Sequence, residues 1–268
     1  MSTCRLCEAT LKPDRISCPS CGACNVSDSN VQTIGLDITV ALSEVVSADV
    51  NRIRTDLCDE NFGETIDDNG KVKSTGLVRT STVLLGGSPG AGKSTLSLQL
   101  CDIVSDNDES LIIAAEQAPQ EIKLTAERIK LKNMPRIRVL PAMSGANLVQ
   151  AINSRPNKPK IVIIDSLQAL VGEEHDLQLE VCKRSKDFAV RLECPFIIIS
   201  HVTKADVIAG KMQLQHAVDT TMTFFPDENE DIRIMNTIKN RFGKAGSSVN
   251  SYFAMGLRGL EPIELEED

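Results

Sequence analysis

Gly86-Gly87-Ser88-Pro89-Gly90-Ala91-Gly92-Lys93-Ser94-Thr95 is the segment from which the rest of the chain is read. From Gly87 to Ser94 it runs glycine, four residues, then Gly-Lys-Ser, the spacing of a phosphate-binding loop. The apolar run TVLL at 82–85 reads as a buried strand, and Leu96, Leu100 and Ile103 mark one side of a following helix. Strand, glycine loop and helix together are the context the motif needs. Glycines let successive N–H groups turn toward phosphate oxygens. The helix beginning near Lys93 adds its positive end to the same spot. Gly87, Ser88, Pro89, Gly90, Ala91, Gly92, Lys93, Ser94 and Thr95 are therefore the expected nucleotide contacts. Lys93 neutralises the β- and γ-phosphates, and Ser94 ligates Mg2+.

A second nucleotide signature lies about seventy residues on, where IVII at 161–164 runs into Asp165 and Ser166. Four aliphatic residues ending on an acid place Asp165 at the carboxyl end of a central strand, where it holds magnesium through water. Between the two signatures, 111–115 reads as a strand ending on Glu116. Pro119 fits the first position of a helix whose apolar face is Ile122, Ala126 and Ile129. A short strand at 137–140 and a helix marked by Leu148, Ala151 and Ile152 follow. Beyond Asp165, Leu177, Val181, Phe188, Ala189 and Leu192 trace another helix, and 196–199 is a strand ending at Ser200 and His201. Polar side chains there can sense a γ-phosphate. Residues 218–225, 231–238 and 249–255 read as three strands without intervening helices, an antiparallel extension of the sheet. Residues 264–268 read as a solvated acidic tail.

The first thirty residues hold five of the nine cysteines. Cys4, Cys7, Cys18 and Cys21 spell two C-x2-C pairs, each able to turn as a knuckle onto one tetrahedral Zn2+. Cys24 also stands at C-x2-C spacing from Cys21; the symmetric set is preferred and Cys24 is read as a spare thiol. So short a segment cannot build a core, so metal would supply its folding energy. A closed set of thiolates is structural, not catalytic. Residues 27–30 read as a linker, and Ile38 to Val46 as a short strand or helix. Asp67 to Lys71 is a turn.

The net charge of −8 argues against nucleic-acid binding spread over the whole surface, but not against a local basic channel. With no Trp and one Tyr, no aromatic base-stacking platform is visible. Cysteine usage, the lack of a signal peptide and the lack of an apolar run near the ~20 residues that span a bilayer give a cytoplasmic expectation with no membrane partner.

Five features stand together: the cysteine knuckle, GGSPGAGKSTL, AAEQAPQEIKLTAERI, IVIIDSLQAL, and HVTKADVIAGKMQLQHAVDT followed by KNRFG at 239–243. The series resembles the bacterial RadA (Sms) family of RecA-like recombination ATPases. The resemblance covers nearly the whole chain and is weakest from 30 to 75. It implies an α/β fold, a RecA-like P-loop ATPase core at 76–268, a linker and extension at 31–75, and a zinc-binding module at 1–30. Family members carry a further domain related to Lon protease, which these residues lack. Their knuckles usually include a Trp, and their Glu-Glu-Ser is here Glu116-Gln117-Ala118. A minimal, phage-type member is implied.

The resemblance implies roles as well. Glu116 stands where RecA-like ATPases keep the carboxylate that polarises the attacking water. Lys239 and Arg241 stand at the KNRFG positions, where such cations reach a neighbouring subunit's nucleotide. His201 is the sensor. Loops at 168–177 and 202–215, the latter with Lys204 and Lys211, would hold single-stranded DNA by its phosphates. Glu173, Glu174 and Asp176 in the first loop oppose this, and Lys183, Arg184 and Lys186 could compensate. The expected function is an ATP-driven, hexameric, DnaB-like helicase. It acts on single-stranded or branched DNA in recombination and repair, beside a recombinase. A nucleotide-switched loader that does not unwind, and a KaiC-type signalling ATPase, are the alternatives.

Overall fold

The computed structural model describes residues 51–67, 69–141, 145–201, 212–227, 232–246 and 249–264, together with the backbone of two short strands near the N-terminus. The chain divides into two units, Val50–Pro141 with Lys158–Asp268, and Met1–Asp49 with Ala142–Asn157. In the second unit, β1 (Ser2–Thr3) and β2 (Thr10–Leu11) pair antiparallel. Cys4 and Cys7 stand between them in sequence; with Cys18 and Cys21 they lie outside the described residues. The same holds for the linker at 27–30 and the stretch from Ile38 to Val46. Helix α4 (Gly145–Asn153) belongs to this unit and buries Val149 and Ile152.

The first unit opens with β3 (Arg52–Ile53), α1 (Asp59–Phe62), β4 (Glu64–Ile66), β5 (Val72–Thr75) and β6 (Leu77–Val78). β4 and β5 form a hairpin around the turn expected at Asp67, whose carboxylate accepts the Asn69 and Lys71 amides at 2.9 and 2.8 Å. This flank packs on the main sheet through Asn61, which is fully buried. Its amide donates to Thr237 Oγ1 and the Val249 carbonyl at 3.0 and 3.2 Å, and its Oδ1 accepts from Ser251.

The main sheet has nine strands. Its parallel part comprises β7 (Thr82–Gly87), β8 (Ser110–Ala114), β9 (Ile137–Pro141), β10 (Val162–Asp165) and β11 (Phe196–His201). β7, β8 and β10 are buried along their whole length, as helix-covered parallel strands must be, so they appear in the sequence as unbroken aliphatic runs. The helices are α2 (Lys93–Val104), α3 (Pro119–Arg128), α5 (Leu167–Val171) and α6 (His175–Leu192). α3 begins on Pro119 as the sequence predicts, with the Glu121 carboxylate accepting the Ala118 amide at 2.9 Å. Val83, Leu85, Ile163, Ile197 and Ile199 pack in one cluster with Leu96 and Leu100 of α2 and Ile122 of α3. Phe196 meets Phe188 of α6, with ring centroids 6.1 Å apart.

After α7 (Met212–Ala217) come β12 (Thr220–Pro226), β13 (Ile232–Asn240), β14 (Asn250–Gly256) and β15 (Gly259–Ile263). Sequence reasoning expected three antiparallel strands here. The structure has four, and β12 runs parallel to β7 before β13, β14 and β15 turn the sheet antiparallel. The sheet order is β15-β14-β13-β12-β7-β11-β10-β8-β9. The carboxyl ends of β7, β8, β10 and β11 therefore lie side by side.

Candidate nucleotide site and the KNRFG end of the sheet

The phosphate loop joins β7 to α2. At Gly87 the backbone passes so close to β12 that a Cβ would stand 2.1 Å from the Phe224 carbonyl oxygen. Gly92 caps α2 with φ at 100°, and no side chain caps the helix in its place. The first amides of α2 thus have neither an intrahelical acceptor nor a capping side chain. A Cβ on Gly90 would meet nothing within 4 Å, so the loop's outer face is open. This cradle fits a polyphosphate. Lys93 is buried, and its ammonium donates to the carbonyls of Gly87 and Ser88, each at 2.8 Å. Burial lowers its pKa, while the charges of Asp165 and Glu116 act to raise it. Arg233 of β13 donates to the Ala91 carbonyl at 3.1 Å and ties the antiparallel edge to the loop.

Asp165 closes β10, and its carboxyl is pushed up from the usual range by burial and, less strongly, by Glu116; a hydrogen bond from Ser94 works the other way. A serine hydroxyl against a buried carboxylate is a hard-oxygen donor pair, which suits Mg2+ bound largely by water and phosphate. Among the described residues no group of three or more His, Cys, Asp or Glu is assembled for a metal.

Glu116 lies just past β8, its amide donating to the Asp165 carbonyl at 3.1 Å. Its carboxylate Oε2 is 2.8 Å from His201 Nε2. Burial is the largest influence on that carboxyl and raises its pKa. Hydrogen bonds from His201 and Ser166 and the charges of His201 and Lys93 outweigh it, so the net pKa is lowered. His201 closes β11 directly opposite Gly87. Its Nδ1 is buried without a hydrogen-bond partner among the described residues, a polar atom left for a ligand. The structure therefore brings Lys93, Ser94, Glu116, Asp165 and His201 together.

Lys239 and Arg241 lie elsewhere. Asn240 and Lys239 of β13 pair with Thr220 and Thr221 at the start of β12, and Thr220 pairs with Val83 at the start of β7. The ammonium of Lys239 donates to the carbonyls of Gln215 and Val218 at 2.6 and 2.7 Å, where α7 ends. Burial lowers its pKa, with the Arg241 charge adding to the effect. Arg241 is 55% exposed and reaches Asp219 Oδ1 at 3.3 Å. Asp219 is 1% exposed and also accepts Thr82 N at 3.0 Å, Thr82 Oγ1 at 3.1 Å, and the Lys186 ammonium. The rest of KNRFG is structural: Asn240 donates to the Asn61 carbonyl at 3.2 Å, and the Phe242 carbonyl accepts from Arg52 at 2.8 Å.

With this geometry in view, the sequence matches the AAA domain family over residues 71–207, just over half of the chain. The chain belongs to that family. It is a homologue of the RadA DNA repair proteins. It is 31% identical over 262 residues to DNA repair protein RadA of Campylobacter jejuni, covering 91% of this chain and 56% of that protein. It is 35% identical over 209 residues to that of Streptococcus pneumoniae, covering 75% and 47%. The chain spans about half the length of the curated relatives it matches. A KaiC-like protein from Pyrococcus horikoshii OT3 superposes with TM-score 0.61 at 17% identity, over 80% of this chain and all of that one. The RecA-like P-loop ATPase fold is thus common to both.

Lys204 and Lys211 lie outside the described residues. The expected loop at 168–177 is largely helical, with α5 and the start of α6 meeting at Gly172. Sequence reasoning missed Gln168, Asp219 and Arg233 as site residues. Asp219 stands inside the HAVDT string, but nothing in that string announces a buried carboxylate bridging β7 and β13.

Proposed function

We propose that the chain is the nucleotide-hydrolysing engine of a DNA motor, acting as a ring of identical subunits on single-stranded or branched DNA in recombination and repair. One observation carries this reading. Arg241 and Lys239 sit at the end of the sheet opposite their own phosphate loop. Arg241 contacts Asp219, Asp219 contacts Thr82, and from Thr82 to Gly87 the strand advances about 17 Å. An arginine side chain cannot cover that distance, so an exposed guanidinium there serves a neighbour's nucleotide or none. A head-to-tail ring, hexameric in our reading, brings one protomer's KNRFG end to the next protomer's cradle.

In this mechanism the loop amides and Lys93 bind the triphosphate, and Lys93 leaves the Gly87 and Ser88 carbonyls for phosphate oxygens. Ser94 and Asp165 hold magnesium, which when bound supplies charge neutralisation on the phosphates. Glu116 takes a proton from the attacking water, and His201 registers the γ-phosphate through its nitrogens. Arg241, with Lys239 behind it, places positive charge against the developing charge from across the subunit boundary. Lys204 and Lys211 grip DNA phosphates without reading bases. Cys4, Cys7, Cys18 and Cys21 hold a structural zinc.

The test is strand displacement on a forked duplex, measured beside DNA-stimulated ATP hydrolysis. Lys93→Ala and Arg241→Ala should each lower hydrolysis by about 10²–10³-fold and abolish displacement. Displacement that survives Lys93→Ala overturns ATP as its source of power. Stimulated hydrolysis without displacement by the wild type converts the reading to a loader.

A further inference from the structure

The Glu116–His201 contact is itself held in place from α5. Gln168 donates from Nε2 to Ser200 Oγ at 3.0 Å and to the His201 carbonyl at 3.1 Å, and its Oε1 accepts the His201 amide at 3.1 Å. The side-chain amide thus acts as a small piece of added strand at the end of β11. Its orientation is fixed by chemistry, since only the nitrogen can donate and only the oxygen can face the His201 N–H. One residue before α5, Ser166 caps the helix by accepting the Ala169 amide at 3.3 Å and also hydrogen-bonds Glu116. The first turn of α5 therefore governs both groups that engage the Glu116 carboxylate.

We propose that Gln168 is a positioning residue that holds His201 against Glu116, so that Glu116 stays restrained until α5 shifts. The inference rests on the reading of Glu116 as the base. A carboxylate already accepting from His201 and Ser166 is a weaker base toward water than a freed one. α5 is placed to transmit such a shift. At its far end the Gly172 carbonyl accepts from Gln178, a fully buried residue of α6, at 2.7 Å. His175 at the start of α6 meets Gln213 of α7 at 3.0 Å. α5, α6 and α7 thus form one connected path, and α5 lies largely within the 168–177 stretch expected to meet DNA. Because all of its polar atoms are engaged within the fold, Gln168 acts on the glutamate and not on DNA.

The experiment compares Gln168→Leu with wild type for ATP turnover without DNA at saturating ATP, for affinity toward a fluorescent ATP analogue, and for turnover with single-stranded DNA. Releasing the restraint should raise DNA-free kcat about two- to tenfold, the worth of one or two hydrogen bonds, with affinity held within about twofold. The further stimulation by DNA should shrink. In a His201→Ala background, Gln168→Leu should change nothing more. A DNA-free rate that is unchanged or lowered, or effects that add in the double variant, overturns the proposal. Gln168→Glu keeps an acceptor for the His201 amide and loses both donors; it should act in the same direction and decides the matter should the leucine variant fail to fold. A wild type that DNA does not stimulate defeats the motor reading, while the DNA-free comparison still judges Gln168. Undiminished hydrolysis by Glu116→Gln defeats the base assignment separately.

Discussion

Cys58, Cys101, Cys182 and Cys194 are buried free thiols. Burial pushes Cys101 and Cys182 up to about 12 and raises Cys58 and Cys194 as well. At neutral to mildly alkaline pH they hold almost no thiolate, and the thiolate is the nucleophile. Iodoacetamide should leave all four unmodified in the folded protein. Any fast-reacting thiols then belong to the N-terminal set, and a strong chelator should unmask Cys4, Cys7, Cys18 and Cys21 together. Peptide mapping by mass spectrometry reads both. Equal reactivity of the N-terminal thiols with and without chelator rejects zinc there. Lys93 shows the same physics acting on a cation: burial lowers its pKa, and two carbonyls and two acids keep it at work.

At the scale of elements, α1 is a single short turn whose value lies in Asn61. Removing its side chain takes away its hydrogen bonds to Thr237, Ser251 and the Val249 carbonyl in a largely buried place. Asn61→Ala should cost about 1–3 kcal/mol, read as a lower urea midpoint at unchanged m-value. The aliphatic runs of β7, β8, β10 and β11, the phosphate loop and the long α6 were legible because each is a local pattern of the right length. β15 was not: GLEPI mixes Gly, Pro and Glu, and it is a strand only because β14 offers a partner and Gln99 of α2 bonds the backbone of Leu260. β3 to β6 are too short to show a period. The cradle residues and Glu116 were visible from motif and resemblance. Gln168 and Asp219 were not, since Gln168's partners lie 32 to 33 positions away along the chain and Asp219 gathers partners 22, 33 and 137 positions away.

For the whole molecule, separating the phosphate loop from Arg241 means that two defects can complement. Lys93→Ala and Arg241→Ala subunits, each inactive alone, should recover activity when mixed and reassembled. In a random equal mixture about a quarter of the interfaces pair an intact loop with an intact arginine. The check is ATP turnover against mixing ratio, with a maximum near equal amounts; a flat line means that Arg241 serves no neighbour's nucleotide. Among the described residues no helix is long and apolar enough to cross a membrane. β13 adds a last consequence. Arg233 near its start grips the Ala91 carbonyl, and Arg241 stands eight steps on, about 27 Å away. In a closed head-to-tail assembly each such strand becomes a tie rod between two successive nucleotides. Recoil from one hydrolysis event then travels to the neighbour on one side only, which gives the circuit a direction of firing.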